Sequence, residues 1–272
     1  PGYRIKILDG NGIEATEHRL KVLRTTASAP LPGKSLVVFD PELDLVIDVF
    51  PCEDGHTQER ALLSQIIPTI QANDAWIGDR NFCVLSFLFD ITKKDAFFII
   101  RQHKGLPFEE ISPMRRQGKS TTGEVFEQRI AIKDEHDKVL KLRRIRVCLN
   151  EPTGDGETEI FILTNLPARV VKAKKIAQLY QKRWMIETAF QKLEKNFNSE
   201  INTLGYPKAA LFGFCIALVA YNIMSGVKAA LRGVHGAEKI DSEVSDYYIA
   251  GEISEVSRGM MIAIPEVHWS VF

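Results

Sequence analysis

Three acidic residues in this chain have the type and spacing that metal-assisted phosphoryl transfer requires. Asp9 follows the run Arg4-Ile5-Lys6-Ile7-Leu8, Asp79 follows Ala75-Trp76-Ile77-Gly78, and Glu187 stands in a helical segment much further on. Divalent cations such as Mg2+ or Mn2+ take hard oxygen ligands from separate elements. Two such ions, about 3.5–4 Å apart, activate an attacking oxygen and stabilise a leaving one. Each acid alone is ordinary. Asp9-Gly10-Asn11-Gly12 also reads as a turn ending a strand. Gly78-Asp79-Arg80-Asn81 also reads as a turn or a helix cap, and Glu187 as a solvated helix charge.

The residues around Glu187 add weight. At about 100° per residue, a continuous helix places Tyr180, Arg183 and Glu187 within roughly 60° of one another. Leu179, Ile186, Phe190, Leu193 and Phe197 form an apolar stripe to one side. Tyr, Arg and Glu then lie along the border of the buried stripe, where a carboxylate reaches a cleft without being buried unpaired. Arg183, one turn earlier, can neutralise that acid or bind a phosphate bidentately, and Tyr180 can donate to a DNA backbone. An ordinary Arg/Glu i,i+4 pair on an amphipathic helix fits the same spacing.

The elements that must position these residues follow from local pattern. A strand ends at Asp9. Lys34–Phe39 and Leu43–Phe50 form a hairpin about Asp40-Pro41. His56–Ile70 is helical by its apolar spacing, Ala75–Ile77 is a strand ending at Gly78-Asp79, Phe82–Phe89 is a helix and Ala96–Arg101 a strand. His103 to about Pro167 is polar and β-leaning. Helix resumes at Lys172 and runs past Phe197, and a last apolar helix covers Pro207–Leu231; the tail from Ser242 has no clear pattern. This order predicts an α/β fold, a mixed five-stranded sheet with helices on both faces. It matches a ribonuclease-H-like core interrupted before its last core helix: a first part at 1–102, a β-rich insertion at 103–167 and a second part with C-terminal helices at 168–272.

Composition sets bounds. Lys plus Arg and Asp plus Glu both number 35, so no global basic excess advertises a nucleic-acid partner. Cys52, Cys83, Cys148 and Cys215 lie far apart without zinc-type spacing and read as buried, reduced thiols. The uncharged run Ala209–Val227 is long enough to span a bilayer, but Gly213, Asn222 and Ser225 interrupt it, which favours a buried helix of a soluble core. The chain opens at Pro1 without a secretory signal, and an N-terminal piece is expected to precede it.

Tyr180-x2-Arg183-x3-Glu187 with a downstream Lys resembles the Y-R-E-K signature of the DDE transposases of bacterial insertion-sequence family four. Ile7-Leu8-Asp9-Gly10, Pro51-Cys52-Glu53-Asp54-Gly55 with Glu59-Arg60, and Gly78-Asp79-Arg80-Asn81-Phe82 are similar to that family in the same order. The resemblance implies a ribonuclease-H-like fold with a β-rich insertion before the helix bearing the Glu. It implies that Asp9, Asp79 and Glu187 are the catalytic triad, holding two Mg2+ or Mn2+ ions, and that Tyr180 and Arg183 contact a DNA end. The family's Lys falls where this chain has Glu194, so Lys195 or Lys192 would replace it, Lys195 lying nearer Glu187 around the helix. The implied activity is cleavage of double-stranded DNA at transposon ends and strand transfer into target DNA, by a homodimer on the bacterial nucleoid in the cytoplasm, with no membrane. A nuclease of the same core without strand transfer, or a decayed DNA-binding derivative, are the alternatives. In the insertion, Lys138–Arg146 gathers Lys141, Arg143, Arg144 and Arg146 and reads either as a phosphate-binding strand or as a solvated β face. Trp184 reads as a packing residue.

Overall fold

The computed structural model describes residues 2–13, 33–55, 57–200, 206–252 and 255. Strand β1 (Arg4–Gly12) pairs antiparallel with β2 (Lys34–Asp40), and β2 with β3 (Leu45–Cys52). The β2–β3 turn closes because the Asp40 carboxylate accepts from the Glu42 and Leu43 amides at 2.8 and 3.1 Å. Strand β4 (Asp74–Gly78) runs parallel to β1, with Leu8 opposite Gly78 as the last pair. The turn expected at Asp9 is absent. β1 continues to Gly12 because β2 goes on pairing with it, Asp9 opposite Val37 and Gly12 opposite Lys34. What ends at Asp9 is the parallel partner, not the strand.

The helix expected over His56–Ile70 is broken. Glu59–Leu62 and Ile67–Thr69 are 3-10 turns around a single α turn, α1 (Leu63–Ile66); His56 lies outside the described residues. Pro68 removes a helical donor and clashes with the preceding turn, so the apolar spacing survives without the regular helix. Leu62, Leu63, Ile66 and Ile70 are buried. Helix α2 (Leu85–Lys93) starts later than expected because Arg80–Phe82 forms a 3-10 turn capped by Asp79. Strand β5 (Phe97–Arg101) then pairs parallel with β4.

The segment expected to be a β-rich insertion contributes β6 (Glu109–Glu110), β7 (Arg115–Lys119), β8 (Gly123–Lys133), β9 (Val139–Leu149) and β10 (Glu159–Thr164). It does not stand apart. β10 pairs antiparallel with β5, so one ten-stranded sheet runs β3-β2-β1-β4-β5-β10-β9-β8-β6, with β7 beside β8. The expected five strands are one end of this larger, mostly antiparallel sheet.

Helices cover both faces. One core joins Leu8, Leu36, Trp76 and Phe98 to Phe82, Phe87 and Ile66. The other joins Ile7, Val37 and Ile77 to α3 (Ala173–Gln181), α4 (Trp184–Phe197) and α5 (Pro207–His235). A short α6 (Ala237–Glu243) packs on α5. The single helix expected past Phe197 is two, because Lys182, Arg183 and Met185 donate to carbonyls three residues back at 2.9–3.0 Å. Helix α5 is apolar and long enough to cross a membrane by length and composition, yet only one face is buried. Tyr221 donates to Asp44 at 2.8 Å, and Asn222 bonds the Val46 amide and carbonyl on β3 at 2.9 and 2.7 Å. Phe212, Ile216, Val219 and Ile223 on the opposite side are exposed.

Candidate active site

Strand alternation decides which face each acid serves. Ile7 belongs to the core under α3, α4 and α5, and side chains two apart share a face, so Asp9 points toward α4. Asp79 follows Gly78, which is the last partner of Leu8. The two aspartates therefore stand one residue beyond the same register pair, at the carboxyl ends of parallel strands, where open α/β sheets bind ligands. The Asp9 carboxylate accepts from the Gly10 amide at 3.0 Å, and the Asp79 carboxylate accepts from the Asn81 amide.

Glu187 and Arg183 arrive from α4. The Arg183 guanidinium lies 2.7 Å from Glu187 and 3.4 Å from Asp9, tying helix to strand, while its Nε is buried without a partner. Asp9 is nonetheless pushed up to about 7. Burial is the main cause; Arg183 and the Gly10 amide oppose it, and the charges of Asp79 and Glu187 add to it. Glu187 keeps 41% of its side chain exposed. One carboxylate is thus buried and hard to ionise, while another faces solvent across a shared arginine.

Tyr180 departs from the expected surface row. It is 3% exposed and packed in the core with Ile176 and Ala177, because the break at Lys182–Arg183 turns α3 against the sheet. Burial raises its phenol to about 12, with Arg183 and Arg101 opposing. It stays protonated beside Arg183, and at this burial it offers no surface for a DNA strand.

The family model described as "Transposase DDE domain" matches residues 1–223. The chain belongs to the transposase DDE-domain family. No curated protein sequence matches the chain. Among solved structures it is similar to the piggyBac transposase in a cryo-EM structure of that protein's synaptic complex with hairpin DNA. The TM-score is 0.51 at 11% identity, over 93% of this chain and 52% of that one. The chain thus spans about half the length of that relative, and the likeness is one of fold.

Other residues of this DDE domain depart from their sequence reading. Lys192 pairs with Asp246 at 2.7 Å, and Lys228 shares that carboxylate, so Lys192 holds the C-terminal segment rather than facing the acids. Lys195 and Glu194 are exposed. Arg143 is no phosphate ligand. It is 7% exposed, bound to Glu127 at 2.6 Å and to the carbonyls of Leu166 and Val171 at 2.9 and 2.8 Å. Trp184 is 45% exposed, beside Arg183, so it is not a packing residue. The four cysteines are free, but only Cys83 is buried.

Sequence reading missed Glu59 as part of the site. A Cβ on Gly10 would fall 2.2 Å from a Glu59 carboxylate oxygen, and the other oxygen accepts from Asn81 at 3.4 Å. Those atoms are the movable end of a flexible side chain, which lies over Gly10 beside Asp9. The only signal in the sequence was Glu59-Arg60 beside the two Asp motifs.

Asp9, Asp79 and Glu187 offer hard carboxylate oxygens, the donor type that a divalent cation takes. As they stand, no three His, Cys, Asp or Glu side chains among the described residues are grouped closely enough to hold one ion, and Arg183 supplies positive charge between Asp9 and Glu187.

Proposed function

We propose that this DDE domain is the catalytic part of a bacterial cut-and-paste DNA transposase of insertion-sequence family four, with Asp9, Asp79 and Glu187 as its metal-holding triad. One observation carries the reading: Asp9 and Asp79 stand one residue past the last parallel pair, Leu8 and Gly78, and Arg183 joins Asp9 to Glu187. The strand order β3-β2-β1-β4-β5 supports a ribonuclease-H-like core. The partner would be double-stranded DNA, at transposon ends and then at the target, with two chains acting together as in related enzymes.

Bound Mg2+ or Mn2+ would neutralise charge on a phosphodiester as it is attacked. The three carboxylates would hold those ions. Arg183 would orient Glu187 toward Asp9, and the buried strand ends would fix the acids against thermal drift. The piggyBac relative was captured with hairpin DNA. This supports, for the present chain, cleavage in which a freed 3′ hydroxyl attacks the opposite strand and later the target.

The test uses a plasmid carrying the DNA ends that flank the gene. The natural chain should nick it in Mg2+, whereas Asp79→Ala should still bind those ends and leave them uncut. Loss of the Asp79 cap costs about 1 kcal/mol, too little to unfold the domain. Normal nicking by Asp79→Ala in Mg2+ would falsify the assignment.

A further inference from the structure

Across the strand ends, Asp9 and Asp79 have a third neighbour. Gly78 pairs with Ile100, so Arg101 follows on β5 at the level of the two aspartates. Arg101 and Arg80, the residue after Asp79, both turn toward Glu157 in the β9–β10 loop. Arg80 lies 3.5 Å from that carboxylate, Lys104 lies 3.7 Å away, and Arg101 is paired with it directly. Arg101 and Glu157 are mostly buried, while Lys104 is 89% exposed.

Three cations converge on one carboxylate, more than neutrality needs. They wall a cavity of about 410 Å³ whose lining carries Arg80, Arg101, Lys104 and Arg144 against only Glu157 and Glu159. Glu159 is engaged by Arg146 at 2.6 Å, and Asp155 meets Arg80 at 3.5 Å from an exposed position. Arg144 makes no ion pair among the described residues. Its guanidinium lies 3.7 Å over Phe161 and 4.9 Å from Phe108 and donates to Gln102 at 2.6 Å. A second cavity, about 590 Å³, shares Arg101 and extends along Thr121, Thr122 and Asn150 to Arg183 and Trp184. Glu151 and Asp155 line this second cavity too and balance Arg101 and Arg183, so the cationic excess lies in the first cavity, which Arg101 joins to the second.

We propose that the cavity walled by Arg80, Arg101, Lys104 and Arg144 binds backbone phosphates of DNA, and that Glu157 occupies the phosphate's position while no DNA is bound. Carboxylate and phosphodiester both present paired oxygens to guanidinium groups, and the excess cations favour exchanging the tethered acid for an incoming strand. Phosphates held there would set the register of the DNA against Asp79 without reading sequence. The inference rests on the transposase reading, because it assumes that DNA lies across the three acids.

The test is fluorescence anisotropy of the full chain with a labelled random-sequence duplex, in chelator, across a salt series. Each phosphate contact contributes about 0.9 to the slope of log affinity against log salt. Lys104→Ala and Arg80→Ala should each lower that slope by about one and weaken binding. Glu157→Gln, nearly isosteric, should tighten binding by removing the competing charge. Thermal melts establish that each variant is folded; the buried Arg101 is left intact. Duplex binding with unchanged slopes in both cation variants, or weaker binding by Glu157→Gln, overturns the phosphate cavity and leaves the three-acid site standing. A natural chain that binds no duplex at any salt overturns the transposase reading along with it.

Discussion

Asp9 is where the site's electrostatics can be read most directly. In the unfolded chain it titrates near 3.8, and in the folded chain near 7, chiefly because burial disfavours its charge. Between those values the folded state holds a proton that the unfolded state has lost, so stability falls as pH rises through this window. Above 7 the whole penalty is present; below 3.8 it vanishes. At 1.36 kcal/mol per pH unit it is on the order of 4 kcal/mol at most. Asp9→Asn should therefore raise Tm at pH 8, with a gain that shrinks toward zero as pH falls to 4. Mg2+ should stabilise the natural chain at pH 8 and leave Asp9→Asn unmoved. A Tm gain that is the same at every pH would contradict the buried-charge account.

Elements meet the site through joints rather than through their own lengths. Arg143 on β9 binds Glu127 on β8 and two carbonyls of the connection leading into α3. It therefore fixes where α3 begins and, through the break after Gln181, where Arg183 emerges. Removing one member of a buried pair strands the other, at a cost of about 3–5 kcal/mol. Arg143→Ala should show a loss of that size in urea unfolding, whereas Lys141→Ala, on an exposed position of the same strand, should cost little. Equal effects would mean that Arg143 is not the clasp described. Helix α5 works similarly, since Asn222 caps the free edge of β3 with two backbone bonds.

The whole molecule is held by one sheet with two shared cores. Val125, Ile145 and Val147 of the insertion pack with Ile176 and Ala177 of α3, while Ile130, Ile132 and Leu142 join the opposite core with Ile100 and Leu163. An insertion fused on both faces should not unfold by itself. In urea, far-UV dichroism and tryptophan fluorescence (Trp76 is buried in β4) should give one coincident transition. Separate midpoints would show the insertion to be an independent unit.

Local pattern was enough for much of this. The apolar runs of β2, β4 and β5 and the β-leaning insertion were legible because a strand buried on both faces reads as a continuous apolar run and a half-buried one as an alternation. The hairpin was legible because Asp40-Pro41 favours a turn, while the three acids stood out by type and spacing alone, and β1 runs on past Asp9 to Gly12. What local pattern could not hold was any decision made by a partner distant in sequence. β2 carried β1 past its expected turn, β5 captured β10 and merged the insertion with the core, and the break before Arg183 buried Tyr180. Arg143 read as either a phosphate ligand or part of a solvated face until Glu127 and two carbonyls claimed it. Glu59 and Glu157 gained their places from Gly10 and from three cations. Sequence determined which residues were able to do chemistry; the tertiary structure decided which were free to, because burial and competing partners are properties of the packed chain.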